Sequence, residues 1–324
     1  MTVQAQTGPL PSGGIRLASV LRDGGVLIGL LLISAVFCAL TPNFLTGRNL
    51  VNVLQQSSIN ACLAIGMTLV IISGGIDLSV GPVAAIAAVV AGSMMRVGLP
   101  PALATMTALL IGAGCGAVNG ALVAFGRLQP FIVTLGTLSL FRALALIYTG
   151  GDPILGIPAG FREVLNARVA GLPVPVLLVG AIALVAWVVL RKTPLGDYLL
   201  AVGGNEEAAR VAGVPIAATK VTAYAISGLL ASVAALILIG RLGAAEPILG
   251  NLWELQAIAA SAIGGASLMG GKGSIVGTML GAVILGVMQN GLTLLNVQAF
   301  YQLLATGIII LLAMLVDRAA RGRA

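Results

Sequence analysis

The sequence predicts an all-α integral membrane protein. Its 324 residues have a mean hydropathy of +1.10, and 59% of them are hydrophobic whereas 8% are charged. A soluble globule of this length could not bury so much apolar side chain, so lipid must cover the excess. Apolar blocks of roughly 17 to 25 residues recur, each long enough to cross about 30 Å of hydrocarbon as a helix.

About ten of these blocks are predicted to be transmembrane helices. Short Gly/Pro turns join most of them, and only the connections 150–173 and 191–218 are longer. One membrane domain is therefore expected over residues 24–316, with tails at 1–23 and 317–324. The predicted spans are 24–40, 53–73, 83–99, 102–123, 131–149, 174–190, 219–239, 255–269, 275–295 and 301–316.

The basic residues are distributed by side of the membrane, which accounts for the net charge of +7 without a nucleic-acid partner. With ten spans, both termini share one side. The basic residues on that side are Arg16, Arg22, Arg127, Arg191, Lys192, Arg210, Lys220, Lys272, Arg318, Arg321 and Arg323. Those on the opposite side are Arg48, Arg96, Arg162, Arg168 and Arg241, and Arg142 lies within a span without an assigned role. The positive-inside rule then places both termini in the cytoplasm.

Composition argues against an enzyme. Histidine is absent, which removes the commonest general base and metal ligand. The three cysteines, Cys38, Cys62 and Cys115, all lie inside predicted spans and are expected to be packing residues. Gly271-Lys272 is followed by glycine, where a phosphate-binding P-loop requires Ser or Thr. We therefore expect neither catalysis nor a metal or other cofactor.

A weak internal repeat links two glycine-rich segments. GGIDLSVG at 74–81 and GGASLMGG at 264–271 both read GGxxLxxG. Six predicted spans separate them, so both segments lie on the same side of the membrane. This favours a parallel repeat of two five-helix halves. The alternative is two glycine-rich helix breaks of no common origin.

The stretch GGNEEAARVAGVP predicts one short polar helix in an otherwise apolar chain. Asn205 can cap the helix, and Glu206 and Glu207 follow at the positive end of its dipole. Gly213 suits a left-handed C-terminal residue, and Pro215 ends the helix. Two turns are marginal in water, so this helix needs a packing partner. It either docks into a groove of another protein or serves as a solvated connector.

EEAARVAG also resembles the cytoplasmic EAA-and-glycine motif through which membrane subunits of ATP-binding-cassette (ABC) importers contact their ATPases. The matching residues are Glu207, Ala208, Ala209 and Gly213. From about Asn43 to the C-terminus the chain resembles ribose-type (monosaccharide) permease subunits of these importers. The similar segments are NFLTGRNLVNVL, AIGMTLVIISGGIDLSVG, LQPFIVTLGTL and TPLGDYLLAVGGNEEAARVAGV.

This resemblance implies a sugar importer of the bacterial inner membrane. Two copies of a ten-helix subunit, resembling the vitamin B12 permease class (type II), would move a ribose-like monosaccharide from periplasm to cytoplasm. The implied partners are one ATPase polypeptide with two nucleotide-binding domains and a periplasmic sugar-binding protein. The cytoplasmic loop 191–218 would couple to the ATPase through Asn205, Glu206, Glu207, Ala208, Ala209 and Gly213.

Uncharged amides are the first candidates for a sugar pathway. Asn52, Gln56 and Asn60 are spaced at i, i+4 and i+8, so they share one helical face in the outer half of the second span. Amides can donate to and accept from sugar hydroxyls. Gln289 and Asn290 form a second polar set near the end of the ninth span. Interhelical hydrogen bonding is the alternative role for such residues.

Asp77 is a further pathway candidate, because a carboxylate at membrane depth is costly and therefore tends to be functional. It either caps the third span or takes part in gating. An ion-coupled secondary transporter of a small polar solute is the rival to an ABC importer, and it would need intramembrane ionisable groups. Asp77 is the one plausible carboxylate for that role, which disfavours the rival.

Overall fold

The computed structural model describes residues 14–308 and residue 311, and this part of the chain is mainly helical. Its helices are α1 Gly14–Leu40, α2 Gly47–Ile72, α3 Val80–Arg96, α4 Pro101–Ala124, α5 Pro130–Thr149, α6 Ala159–Asn166, α7 Val174–Lys192, α8 Pro194–Gly204, α9 Glu206–Val211, α10 Ile216–Leu242, α11 Trp253–Ile263, α12 Ile275–Leu294 and α13 Ala299–Ile308. Its strands are β1 Ile154–Leu155, β2 Arg168–Val169, β3 Leu172–Pro173 and β4 Ala244–Ala245.

The strands belong to a small cap over one end of α10. They form two antiparallel pairs, β1 with β4 and β2 with β3. Between them, α6 packs on the end of α10, where the Asn166 side chain donates to the Gly240 carbonyl at 3.0 Å. The longer connection 150–173 is therefore folded against the bundle.

Each of the ten predicted spans overlaps one helix. Among the described residues, six helices are long and apolar enough to cross a membrane: α2, α4, α5, α7, α10 and α12. The first helix begins at Gly14, inside the predicted tail 1–23. Parts of the predicted tails and of the last predicted span lie outside the described residues. These are residues 1–13, 309–310 and 312–324.

The eighth predicted span, 255–269, is wrong beyond Ile263. Helix α11 ends there because Gly265 takes a positive φ of 83° and closes the helix. The Gly265 amide donates to the Ala262 carbonyl and the Ala266 amide to the Ser261 carbonyl, both at 2.9 Å. A non-helical connection then runs to α12.

Helices α3 and α11 are short, and both begin inside the bundle. The loop before α3 places Asp77 against Ser227, near the middle of α10. The loop before α11 reaches Arg142, near the middle of α5. The starts of α3 and α11 meet where Gly81 contacts Gly250 through the backbone.

The predicted parallel repeat is wrong, because the packing relates helices that run in opposite directions. Helix α2 packs on α11 and α12, as α10 packs on α3 and α4. Helix α2 begins at the end of the bundle where α10 ends, since Asn52 and Arg241 line the same cavity. In the predicted ten-span topology, a unit of five spans is odd, so a second copy would cross the membrane inverted. The GGxxLxxG segments are two glycine-rich helix ends, with positive φ at Gly74 and Gly265.

Candidate functional site

A cavity of about 430 Å³ lies at one end of the bundle, between α2, α10, α11 and α12. Its volume falls in the roughly 300–1,000 Å³ range of small-molecule sites. The structure brings five predicted pathway residues to its wall, although they come from two distant segments. These are Asn52, Gln56, Asn60, Gln289 and Asn290.

Several of these amides also hold α2 against α12. Asn290 and Asn49 exchange two side-chain hydrogen bonds, each of 2.9 Å. The Gln289 Oε1 atom accepts from Gln56 Nε2 at 3.2 Å and from Asn60 Nδ2 at 3.4 Å. The interhelical alternative therefore describes Asn290 well, since both its amide oxygen and its amide nitrogen bond to Asn49.

Six further lining residues, three of which are Trp253, Gln256 and Arg241, were missed by sequence reasoning. Trp253, Gln256 and Arg241 line the cavity together with Asn52. None of these four side chains makes a hydrogen bond within the described part of the chain, and Trp253 and Gln256 are half-buried. The eighth span was predicted over 255–269, which places Gln256 at its entrance and Trp253 just before it, so their position at a helix start inside the bundle had no sequence signal.

Asp77 lies apart from this cavity. Its Oδ1 atom accepts from the Ser79 amide at 3.0 Å and from the Ser79 hydroxyl at 2.7 Å, and Oδ2 accepts from Ser227 at 2.8 Å. Asn119 donates to the Ser79 hydroxyl at 2.7 Å. These contacts fix the loop before α3 to α4 and α10. Asp77 accepts from Ser79, which precedes α3, and not from the first turn of the helix, so it holds the loop and does not cap α3 as one alternative predicted.

Arg142, unassigned from the sequence, holds the loop before α11. One guanidinium nitrogen donates to the Pro247 carbonyl at 2.7 Å and to the Leu249 carbonyl at 2.9 Å. Carbonyls buried at this depth need such partners. The same loop continues into Trp253, so Arg142 supports the cavity wall from behind.

The short helix α9 lies at the opposite end of the bundle and confirms the capping expected from the sequence. Asn205 Oδ1 accepts from the Ala208 amide at 3.0 Å. Gly213 takes a φ of 80°, and its amide donates to the Arg210 carbonyl at 3.0 Å. The next amide, that of Val214, reaches the Ala209 carbonyl at 3.0 Å, which completes the C-terminal turn.

The two glutamates of α9 have different surroundings. Glu206 forms ion pairs with Lys220 at 2.6 Å and with Arg210 at 3.0 Å. The hydrogen bond from Lys220 holds the pKa of Glu206 below its ordinary value and ties α9 to α10. Glu207 is exposed and has no ion pair among the described residues, and Val211 is 89% exposed. Glu207 and Val211 are therefore free to meet another protein.

A backbone junction connects the α8–α9 segment to the bundle. The Gly271 amide donates to the Ile72 carbonyl at 2.9 Å, which joins the α11–α12 connection to the end of α2. Gly203, near the end of α8, lies on the same carbonyl, so closely that a Cβ atom there would be 1.8 Å from the Ile72 oxygen. Three chain segments thus meet without intervening side chains.

We expect the Asn49–Asn290 pair to stabilise the α2–α12 contact. Asn49→Ala leaves the Asn290 amide unpaired, and Asn290→Ala leaves Asn49 with only its hydrogen bond to the Phe44 carbonyl. The double change removes both amides, so the two effects should be non-additive by about 0.6–1.7 kcal/mol. Thermal unfolding of the purified protein in detergent would measure this double-mutant cycle. Additive losses would show that the pair contributes no interaction energy.

A family model for the permease component of the branched-chain amino acid transport system matches residues 49–314. The ribose import permease protein RbsC of Escherichia coli (strain K12) is 46% identical over 90% of this chain and 92% of its own length. RbsC of Bacillus subtilis (strain 168) is 43% identical over 94% of this chain and 95% of its own.

A more distant relative is the galactose/methyl galactoside import permease protein MglC of Escherichia coli (strain K12), which is 34% identical over 92% of this chain and 94% of its own. No solved structure gives a significant match. The family model covers most of the chain, and the sequence relatives cover nearly all of it. The chain therefore belongs to the family of permease components described for the branched-chain amino acid transport system.

Proposed function

We propose that this chain is the membrane permease subunit of an ABC importer, moving a ribose-like monosaccharide from periplasm to cytoplasm. The observation that carries the proposal is the amide-lined cavity at one end of the bundle, with α9 at the other. Relatives named for ribose and galactose import support the choice of cargo.

Ribose uptake into vesicles should require ATP, the ATPase and the binding protein together, whereas uptake driven by an ion gradient alone would contradict the proposal.

The lining of the cavity favours a neutral, hydroxylated cargo over an amino acid. Among its described residues are six amides, one threonine and one arginine, but no carboxylate. An amino acid carries an ammonium group that needs an anionic or acceptor-rich partner, whereas amides pair with hydroxyls as donors and acceptors. The sugar relatives and the cavity chemistry therefore agree.

The proposed assembly is a homodimer of ten-span subunits with type II architecture in the inner membrane. Support for ten spans comes from the overlap of each predicted segment with one helix. The distribution of basic residues supports cytoplasmic termini and a cytoplasmic α9. Two copies would then present two α9 helices to the two nucleotide-binding domains. The capped outer segment 150–173 would face the periplasmic sugar-binding protein.

The exposed face of α9 is the proposed docking surface for the ATPase. It presents Glu207, Ala208 and Val211, while Ala209 is buried against the bundle. Val211 is 89% exposed at the end of α9, and with the exposed Ala208 it gives the helix a small apolar face beside Glu207. Asn205 and Gly213 fix the two ends of this face.

We expect Val211→Glu to weaken ATPase docking by at least about fivefold, because it places a charge in an apolar contact. Val164→Glu on α6 is the matched control, since Val164 is also exposed but lies at the other end of the bundle. Binding of the cognate ATPase to the purified permease is the measurement. Equal effects of the two substitutions would remove α9 as the docking surface.

The backbone junction at Gly203 is proposed to transmit motion from α9 to α2 and α12. Gly203→Ala should force the junction apart, whereas Gly204→Ala introduces a Cβ that meets nothing within 4 Å. We expect both variants to bind the ATPase, but only Gly203→Ala to lose sugar uptake, by about tenfold or more. Wild-type uptake by Gly203→Ala would contradict transmission through this contact.

A further inference from the structure

We propose that Trp253, Gln256 and Gln289 form a monosaccharide-contact site within the permease itself, at the floor of the cavity. This inference rests on the proposed function and deepens it by naming the residues that contact the sugar inside the permease. The ligand class is a neutral sugar with one apolar face and several hydroxyls.

The position of the site follows from the short helix α11. Trp253 and Gln256 lie in its first turn, and that turn begins inside the bundle. The cavity therefore extends inward from the ends of α10 and α12 to the start of α11. Transporters built from inverted repeats commonly place substrate at such interrupted helices near the membrane midplane.

The three side chains offer unused hydrogen-bonding groups beside an aromatic surface. The Gln256 amide and the Trp253 indole N–H have no side-chain partner among the described residues. Gln289 uses only its Oε1 atom, in two bonds of 3.2 and 3.4 Å, so its amide nitrogen is available. Half-buried polar groups without partners favour a polar ligand, and the indole ring can cover the apolar face of a sugar.

The structure also explains why a sugar would stop at this point. Toward the α9 end, Thr68 bonds to Ser261 at 2.9 Å and to Thr278 at 2.7 Å, which ties α2, α11 and α12 together. All three hydroxyls are buried. Sideways, Gln256 and Gln289 also border a second cavity of about 350 Å³ against α13. The proposed site therefore lies where the first cavity ends and the second begins.

The chain contains two tryptophans, Trp187 on α7 and Trp253, so one substitution creates a specific reporter. In the Trp187→Phe protein, titration with ribose should produce a saturable change in the fluorescence of Trp253. Adding Gln256→Leu should weaken the apparent affinity by at least about threefold, the effect of one lost hydrogen bond. Gln256→Asn, which keeps the amide, should retain part of the affinity.

Gln55→Leu is the matched control, because Gln55 lies on α2 but borders neither cavity. Each variant is first checked for ATPase binding, which reports an intact fold. A protein that transports ribose in the complete system but shows no saturable Trp253 signal would overturn the site and leave the proposed function standing. Equal weakening by Gln55→Leu and Gln256→Leu would also overturn it. Failure of ATP-driven uptake by the wild-type protein would instead overturn the proposed function.

Discussion

The contact between Gly81 and Gly250 is the constraint on which the interior of the bundle depends. A Cβ atom at Gly81 would lie 2.1 Å from the Gly250 oxygen, so the starts of α3 and α11 can meet only as bare backbone. Both helices direct the positive ends of their dipoles at this point. The buried carboxyl group of Glu254 lies beside it, in the first turn of α11. Because α11 begins here, its first turn closes the inner end of the cavity.

Lipid removes the usual hydrophobic drive for helices to associate, so polar contacts and close packing must hold the bundle together. The contacts among Asn49 and Asn290, and among Thr68, Ser261 and Thr278, serve this purpose along α2. Polar residues in such a bundle therefore divide into two groups. Those with reciprocal partners stabilise the fold, and those that face a cavity without partners remain available for cargo.

Local features could be predicted from the sequence, whereas long-range pairing could not. Asn205 and Gly213 act on backbone within a few residues, so the short helix between them was predicted correctly. Asn49 pairs with a residue 241 positions away, and nothing near Asn49 indicates this. Glu206 and Glu207 are adjacent in the sequence, which does not indicate that Lys220 pairs with Glu206 alone. The repeat direction, in contrast, could have been predicted, because an odd number of spans in each predicted half already implies an inverted second half.

The same two helices take part at both ends of the molecule. At one end, the Gly271–Ile72 hydrogen bond joins the segment before α12 to the end of α2. At the other end, amides from α2 and α12 meet around Gln289 on the cavity wall. A displacement at α8 would therefore reach α2 and α12 at the same point. Helix α11 is joined to both of them through Thr68, Ser261 and Thr278, so the three helices form one packed unit between α8 and the cavity. The end of α8 is therefore connected to the cavity through backbone contacts and two helices, without a long chain of side-chain contacts.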